Sequence, residues 1–283
     1  TLRAILEGSI KPWMEREGLD ASDFGFRVGC DFGNGDEVLW GRFGYRNVGE
    51  VSATGLPVDM ASKLQGLAGK NQTMLGQGLL DFVHWPEKYS KIKTHNREGE
   101  KKSLPVVSPN ITDADGNPLN YKMRQLDYDK TLEFSALPRS FIEKFCSCSV
   151  NNHAEIDYKR YSIANGKRLD YISASNFLEP NISLVFVVQA NTKNRLNFPL
   201  KVVFKKTNHG PIPPENERDI EQEGVTRYLR KEKVSKYNQS YHPISKVELP
   251  EATLYRGLHT MKCEVYDSNG GLLFRDWIGV MIR

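Results

Sequence analysis

The segment Pro57–Leu67 has helical periodicity and carries two charged residues four positions apart, Asp59 and Lys63. In a helix this spacing puts both side chains on one face, about one turn apart. Two functions fit such a pair. It can be an ordinary surface ion pair, worth about 0.2–0.5 kcal/mol, or it can face a charged ligand. The spacing alone leaves both interpretations open.

The glycines that precede this helix favour a ligand. Gly41, Gly44 and Gly55 punctuate two short strands and the turn that leads into the helix. A glycine turn lets the backbone approach a ligand closely, and the N-terminus of a helix attracts anions. The pattern therefore indicates an anion site near the start of the Pro57–Leu67 helix.

The elements predicted around this helix favour a layered fold. An amphipathic helix is expected over the first fifteen residues, with Pro12 bending or ending it. Strands are expected at Phe24–Cys30 and Glu37–Trp40, and a long loop or extended arm from Glu87 to Asn120. Strand, turn, strand and helix in this order predict a sheet covered by helices.

The second half of the chain has a different pattern. Helices are expected at Pro138–Phe145 and Ala154–Tyr161, and Glu215–Lys233 is expected to be a loop with a short helix. Four later segments rich in Val, Ile, Phe and Leu are typical of strands. They are Ile182–Val188, Leu200–Lys206, Thr260–Tyr266 and Leu272–Ile282. Asp267–Gly271 is a hairpin signal between the last two. We therefore predict an antiparallel β-sandwich.

Composition limits the classes of partner. Among 283 residues, 39% are hydrophobic and 26% charged, and the formal net charge of +4 is too small for a dedicated nucleic-acid-binding protein. The longest apolar run, Ile182–Ala190, has the length of a strand and is too short to span a membrane. The four cysteines and six scattered histidines give neither a disulfide framework nor a metal-ligand pattern. We expect a cytoplasmic protein with no membrane or nucleic-acid partner, and residue 1, a threonine, suggests that the chain begins partway into a domain.

The run from Phe26 to Leu64 resembles the second half of a class III nucleotidyl cyclase catalytic domain. Val28–Gly33 is similar to the family's strand that ends in a small residue and glycine, and Gly41–Gly44 to its G-x-x-G hairpin. Val51–Gly55 corresponds to the family's Y-T-V-I-G motif, and Val58–Leu64 to V-N-x-A-S-R-L.

The resemblance implies roles for four residues. Asp59 falls on the family's transition-state asparagine, and Lys63 on its arginine, so both are candidate catalytic residues. Lysine can meet a phosphate as a point charge but not bidentately. Ser52 falls on the position that helps select the base, and with Gly55 it is a candidate for substrate binding. A serine there matches neither the adenylyl nor the guanylyl pattern.

The C-terminal part resembles the sensor domain shared by adenylyl/guanylyl cyclases and SMODS defence proteins. Val202–Gly210 is similar to its W/F-K-V-x-N-x-G strand, and Thr253–Val265 to its Y-x-G-x-H strand. Tyr255 and His259 are the sensor candidates. Residues on one strand face are more often packing residues than ligand contacts, so that interpretation stays open.

The two resemblances imply an α+β chain: an N-terminally incomplete class III cyclase-type α/β sheet domain followed by the β-sandwich sensor. The boundaries expected are 1–135 for the cyclase part, 136–175 for a helical linker and 176–283 for the sensor. The combination is similar to the pyrimidine cyclases of the bacterial Pycsar anti-phage system. They convert UTP or CTP into a 3′,5′-cyclic monophosphate that activates a separate effector.

The same resemblance implies a homodimer, a nucleoside triphosphate substrate and a divalent cofactor, Mn²⁺ or Mg²⁺. The family's two metal-binding aspartates would precede the first helix here, so no metal ligand is assigned in this chain. Two alternatives remain: a non-catalytic module for ligand sensing and dimerisation, and an ordinary adenylyl or guanylyl cyclase.

Overall fold

The computed structural model describes residues 2–97, 99–108, 112, 115–145, 150–191, 196–231 and 244–283. These residues form two compact units, an N-terminal unit, Leu2–Tyr128, and a C-terminal unit, Asp129–Arg283. Across the described ranges, no helix combines the length and the apolar character that crossing a membrane requires.

The N-terminal unit mixes short helices with strands. Its helical segments are α1 (Leu2–Ile5), a π-helical turn (Leu6–Ile10), α2 (Lys11–Arg16), α3 (Leu56–Leu67), α4 (Gln77–Phe82) and a 3₁₀ turn (Glu87–Tyr89). Its strands are β1 (Arg27–Cys30), β2 (Leu39–Tyr45), β3 (Val48–Thr54), β4 (Gln72–Gly76), β5 (Ser90–Lys91), β6 (Lys93–Arg97), β7 (Glu100–Leu104), β8 (Val106–Val107) and β9 (Tyr121–Leu126).

The main sheet of this unit has the order β1-β4-β9-β5, with β8 also paired to β9. Strands β1 and β4 are parallel, so the chain must cross from one end of the sheet to the other between them. Helix α3 makes that crossing, and its Leu64 packs with Met74 and Met123 of the sheet in one hydrophobic cluster. Among the described strands, the hairpin β2–β3 pairs only with itself and lies outside the main sheet.

The C-terminal unit is dominated by strands. Its helices are α5 (Tyr128–Leu132), which begins at the boundary, and α6 (Arg139–Phe145). Its strands are β10 (Ile156–Ala164), β11 (Lys167–Asp170), β12 (Phe177–Leu178), β13 (Ser183–Asn191), β14 (Leu200–Asn208), β15 (Val225–Leu229), β16 (Ile244–Ala252), β17 (Gly257–Tyr266) and β18 (Leu272–Ile282).

Two sheets share the core of this unit. One has the order β11-β10-β13-β16 and the other β12-β18-β17-β14-β15. Side chains from both sheets meet in a single cluster, where the ring of Tyr158 lies 6.2 Å from that of Phe204 and 6.5 Å from that of Phe274, centroid to centroid. All neighbouring strands are antiparallel except β12, which runs parallel to β18, so the second sheet is mixed rather than purely antiparallel.

The expected mixed α/β chain with a strand-rich second half is confirmed, and the strand predicted at Leu272–Ile282 has the observed bounds. The helix predicted for Ala154–Tyr161 is wrong, because these residues enter strand β10. Ile156 and Tyr158 are buried while Asp157 and Lys159 are exposed, and this alternation has the period of a strand.

Three further expectations need correction. The helical run continues to Arg16, so Pro12 does not end it; Pro12 lies in the first turn of α2, which follows the π-helical turn directly. Within residues 215–231 the structure has turns and strand β15 rather than a helix. The region predicted as a long loop or extended arm contains the short strands β5 to β8, of which β6 and β7 form a hairpin.

Candidate functional site

Helix α3 exposes the two charged candidates. Its buried face is formed by Pro57, Met60 and Leu64, while Asp59 and Lys63 lie exposed on the other side. In the described part of the chain, no ion pair joins the two, although i,i+4 geometry would permit one. Both charges therefore remain available to a ligand.

Two glycines fix the position of this helix. A Cβ at Gly29 of β1 would come within 2.0 Å of the Ala61 carbonyl oxygen and 2.5 Å of the Gln65 nitrogen, so α3 lies directly against the backbone of β1. Gly55, at the N-cap of α3, has φ 132°. A Cβ there would lie 2.0 Å from the Glu37 carbonyl oxygen, so only glycine fits.

Ser52 lies on the β2–β3 hairpin, directly opposite Gly41. Side chains alternate between the two faces of a strand, so Ser52 and its neighbour Ala53 point to opposite faces. Ala53, opposite Trp40, lines a cleft of about 710 Å³. Ser52 therefore lies on the face of the hairpin away from this cleft.

The cleft lies between the hairpin, the start of α3 and the loop after β1. From α3 it is lined by Pro57, Val58 and Ala61. Its remaining lining residues are Asp31, Phe32, Gly33, Asn34, Gly35, Val38, Leu39, Trp40 and Ala53. Ser52, Gly55, Asp59 and Lys63 are all near this cleft in sequence, but none of them lines it.

Asp31, for which the sequence predicted no role, anchors the loop at this cleft. Its Oδ2 accepts a hydrogen bond of 2.7 Å from the Tyr121 hydroxyl, and its Oδ1 accepts from the backbone nitrogens of Phe32 and Leu79 at 2.9 and 3.2 Å. Tyr121 in turn accepts from the Gly78 nitrogen, and burial, together with its bond to Asp31, raises the pKa of Tyr121. The Asn-Gly pair at positions 34 and 35 is a turn signal that indicates the loop, but it does not indicate the hydrogen-bonded carboxylate of Asp31.

No group of three or more His, Cys, Asp or Glu side chains is placed to hold a metal ion in the described ranges. The carboxylate oxygens of Asp31 already accept three hydrogen bonds. The donor set of the described residues does not fit the two-ion centre that the cyclase resemblance implies.

In the C-terminal unit, the structure brings Tyr255 and His259 together. Their ring centroids are 6.4 Å apart, and both line a cavity of about 40 Å³, room for one or two water molecules. The sequence had suggested that Tyr255 lies on a strand, but it lies in the loop before β17. The cavity has an apolar floor that includes Phe186 and Met261.

Polar side chains also line this cavity. Lys206 and Glu251 line it and form an ion pair of 2.8 Å. Asn208, also lining it, is buried and donates to the Glu217 carboxylate at 3.0 Å. The W/F-K-V-x-N-x-G strand and the Y-x-G-x-H strand thus meet at one place, as β14 and β17 are paired neighbours.

His259 is held in one tautomer by the backbone. Its Nδ1 accepts a 3.2 Å hydrogen bond from the His209 nitrogen, so the proton belongs on Nε2, which lies 2.7 Å from the Tyr255 carbonyl oxygen. Burial lowers the pKa of His259 to about 4. Both ring nitrogens of His259 are already hydrogen-bonded to the backbone. A ligand can therefore form a hydrogen bond with this ring only if one of these partners moves.

The buried His209, for which the sequence predicted no role, connects the loop after β14 with strand β17. Its Nδ1 lies 3.0 Å from Asp219 Oδ1, and its Nε2 lies 3.0 Å from the Thr260 hydroxyl. The loop after β14 is therefore joined to strand β17 through a side chain with no exposed surface. Its place in the motif, between Asn208 and Gly210, is the signal that could have identified it.

Comparisons with known proteins agree with both resemblances. Residues 136–283 match the family described as the adenylyl/guanylyl and SMODS C-terminal sensor domain. A cytidylate cyclase from Escherichia coli is 35% identical over 288 aligned residues, which cover 100% of this chain and 62% of that protein. One from Staphylococcus aureus is 26% identical, covering 97% of this chain and 59% of its own length. A second Escherichia coli cytidylate cyclase is 28% identical, covering 94% of this chain and 53% of its own length.

The chain thus spans little more than half the length of these relatives. The similarity to them and to the sensor family confirms the resemblance drawn from the residues, to a cyclase of the pyrimidine type with a C-terminal sensor. Because the sensor family covers more than half of the chain, the chain belongs to the adenylyl/guanylyl and SMODS C-terminal sensor domain family.

Proposed function

We propose that this chain is part of a pyrimidine nucleotide cyclase that makes 3′,5′-cyclic CMP from CTP. The observation that carries the proposal is the similarity of nearly the whole chain to three cytidylate cyclases. In this reaction the ribose 3′-oxygen loses its proton and attacks the α-phosphorus. The bond from that phosphorus to the oxygen bridging the α- and β-phosphates breaks, and pyrophosphate leaves.

In this proposal Lys63 stabilises the negative charge that develops on the phosphates in the transition state. Its exposure and its lack of an ion pair with Asp59 support the role, because a lysine already paired would have less charge to offer. Asp59 lies beside it and orients a polar group of the substrate. Ser52 helps select the base, and Gly55 lets the backbone approach the substrate.

We also propose that the site forms between two copies of the chain. The β2–β3 hairpin supports this, because it lies outside the main sheet and exposes large apolar side chains. Trp40 is 72% exposed, Val48 82% and Val51 69%. By the alternation of the strands, Trp40 and Val51 lie on one face of the ribbon and Val48 lies on the other. Exposed apolar side chains of this kind on a two-stranded ribbon are typical of an interface. A partner that covers it would face the Ser52 side, the Trp40 side or both.

The remaining parts of the proposal follow from the family resemblance. The C-terminal unit would sense phage infection through the Tyr255–His259 cavity, and the cyclic nucleotide would activate a separate effector in the cytoplasm. A divalent ion, Mn²⁺ or Mg²⁺, would support the reaction. Chelation followed by metal add-back in the longer protein tests that requirement.

A product assay tests the function directly. The longer protein that contains this chain is incubated with CTP, UTP, ATP or GTP and Mn²⁺, and the products are separated by chromatography. Cyclic CMP is the expected product. Cyclic UMP alone would keep a pyrimidine cyclase but exclude CTP as its substrate, and cyclic AMP or GMP would identify an ordinary purine cyclase. A folded dimer that makes no cyclic product would favour a non-catalytic module for sensing and dimerisation.

A further inference from the structure

A second polar pocket lies in the C-terminal unit, apart from the Tyr255–His259 cavity. It has a volume of about 220 Å³ and lies where β10 and β18 approach the start of α6. Three charged side chains line its inner part: Arg139, Arg160 and Asp276. Asn152 and Asp157, both exposed, also line it, so it opens to solvent. We call it the Arg160 pocket.

The inner charges occupy positions that the strand pattern reserves for the core. On β10, Ile156 and Tyr158 point into the shared core, and Arg160 follows in the same phase. On β18, Asp276 lies in phase with Phe274 and Ile278, which are also core residues. The side chains of Arg160 and Asp276 therefore approach each other from the two different sheets.

Arg139 and Asp276 satisfy each other. Arg139 Nε lies 2.8 Å from Asp276 Oδ2, and the other guanidinium nitrogens of Arg139 donate to the carbonyl oxygens of Glu133 and Trp277 at 3.2 Å. Asp276 Oδ1 accepts from the backbone nitrogen of Trp277 at 2.7 Å. Both carboxylate oxygens of Asp276 thus have a partner, one in Arg139 and the other in the backbone.

Arg160 has no such partner. Its Nε is buried without a hydrogen-bond acceptor, and no ion pair to it is formed by any residue in the described ranges. The other carboxylate of the pocket, Asp157, is paired with Lys159 at 2.5 Å. Burial and the neighbouring Arg139 charge lower the pKa of Arg160, which reflects the cost of holding two cations beside one anion.

We infer that the Arg160 pocket binds a phosphate group, which supplies the missing negative charge and accepts hydrogen bonds from the Arg160 guanidinium. A guanidinium donates two parallel hydrogen bonds to an oxyanion, and it is the side chain best suited to phosphate. A volume of about 220 Å³ exceeds that of several water molecules, at about 30 Å³ each. The pocket therefore accommodates inorganic phosphate or the phosphate of a small ester. This site is independent of cyclase activity.

Thermal unfolding of the full chain in the presence of inorganic phosphate tests the inference, with ionic strength held constant by NaCl. A ligand that binds only the folded state raises Tm in a saturable way. The expected result is such a rise for the unmodified chain, with sulfate giving a similar rise and acetate none. No rise with phosphate, or a rise with acetate alone, would overturn the proposal.

Substitutions identify the pocket as the source of the effect. Arg160→Gln keeps a hydrogen-bond donor but removes the charge, and it should weaken phosphate binding about tenfold or more. Arg168→Gln is the matched control, because Arg168 stacks over the Tyr161 ring on the opposite face of the same sheet, 3.7 Å from its centroid. Equal phosphate affinity in Arg160→Gln and the unmodified chain would overturn the assignment.

Asp276→Asn gives a test of opposite sign. It removes the competing carboxylate, so phosphate should bind more tightly. If Asp276→Asn lowers Tm in NaCl, phosphate should raise the Tm of this variant again. Loss of the phosphate response in this variant, while it remains folded, would contradict the proposal. A nucleoside monophosphate in place of phosphate distinguishes the two sources of the group. If the nucleoside monophosphate raises Tm at a lower concentration than inorganic phosphate does, and Arg160→Gln abolishes that rise, the ligand is a phosphate ester. If it does not, the ligand is free phosphate.

Discussion

In the N-terminal unit, Asp59 and Lys63 lie exposed on α3 and Ser52 lies on a hairpin that pairs only with itself. In the C-terminal unit, the buried His209, in the loop after β14, is hydrogen-bonded to the buried His259 and Thr260 of β17. The first unit thus presents its candidate groups outward, where a substrate or a second copy can meet them. The second uses its motif residues partly as structure, so changes there affect stability as well as recognition.

Replacing Lys63 by alanine tests the outward-facing group most severely. In the longer protein, Lys63→Ala should lower the rate of cyclisation by about 10²–10³, the effect of removing one transition-state donor. Tm should not change, because the Lys63 side chain is exposed and forms no ion pair with any residue that the structure describes. The rate is measured as cyclic nucleotide formed over time. Lys91→Ala, at another exposed lysine of the same unit, is the control, and retained turnover in Lys63→Ala would contradict the assignment.

A pair of glycine substitutions tests how α3 is held. Gly29→Ala puts a Cβ within 2.0 Å of the Ala61 carbonyl oxygen, so α3 and β1 must separate, at a cost of about 3 kcal/mol in unfolding free energy. Gly66→Ala, on the same helix, meets no atom within 4 Å and should add about 0.4–1 kcal/mol. Urea denaturation measures both. Equal effects would show that the contact between α3 and β1 is loose.

Two buried groups of the C-terminal unit should give opposite pH dependences. The pKa of His259 is lowered from 6.5 to about 4. Its contribution to the free energy of unfolding is therefore fully present above pH 6.5 and is lost as pH falls toward 4. The loss amounts to up to about 3 kcal/mol. Burial raises the pKa of Asp276 from 3.8 to about 6. The folded state then binds a proton more readily than the unfolded state, and stability increases as pH falls from about 6 to 4.

Single substitutions separate these two contributions. Asp276→Asn should lose stability more steeply than the unmodified chain between about pH 6 and 4, and His259→Asn less steeply. Asparagine at 259 keeps an acceptor for the His209 nitrogen. Urea denaturation at several pH values measures the slopes. Parallel slopes in all three proteins would refute the buried, fixed states assigned to these groups.

A charge on the hairpin should give the smallest effect. Val51→Glu in the longer protein removes exposed apolar surface from the proposed interface and should raise the dimer Kd about tenfold. Arg42, directly opposite Val51, can pair with the new carboxylate and preserve the hairpin itself. Light scattering during dilution measures the Kd. Ile92→Glu, at an exposed position of the same unit, is the control, and an unchanged Kd for Val51→Glu would exclude the hairpin from the interface.

The sequence predicted those parts of the fold that local periodicity determines. Helix α3 and strand β18 follow from their apolar patterns, whereas β10 was mistaken for a helix because its short pattern fits either period. Polar residues in the core were the hardest to foresee. Arg160 and Asp276 belong to strands whose buried face is set only when two sheets meet, and no local signal distinguishes them from surface charges. His209 could have been found from its place in the motif, but its partners Asp219 and Thr260 are distant in sequence.

The contact between Gly29 and α3 has a consequence for how this region can change. At Gly29 the helix lies on the backbone of β1 with no side chain between them. The distance between helix and strand there cannot be changed by exchanging one side chain for another. Redesign of the neighbouring cleft therefore cannot proceed by adjusting the distance of the helix from the sheet. Its width and chemistry can be altered only from the rim, by exchanging side chains on the hairpin, on the loop after β1 or on the outer face of α3.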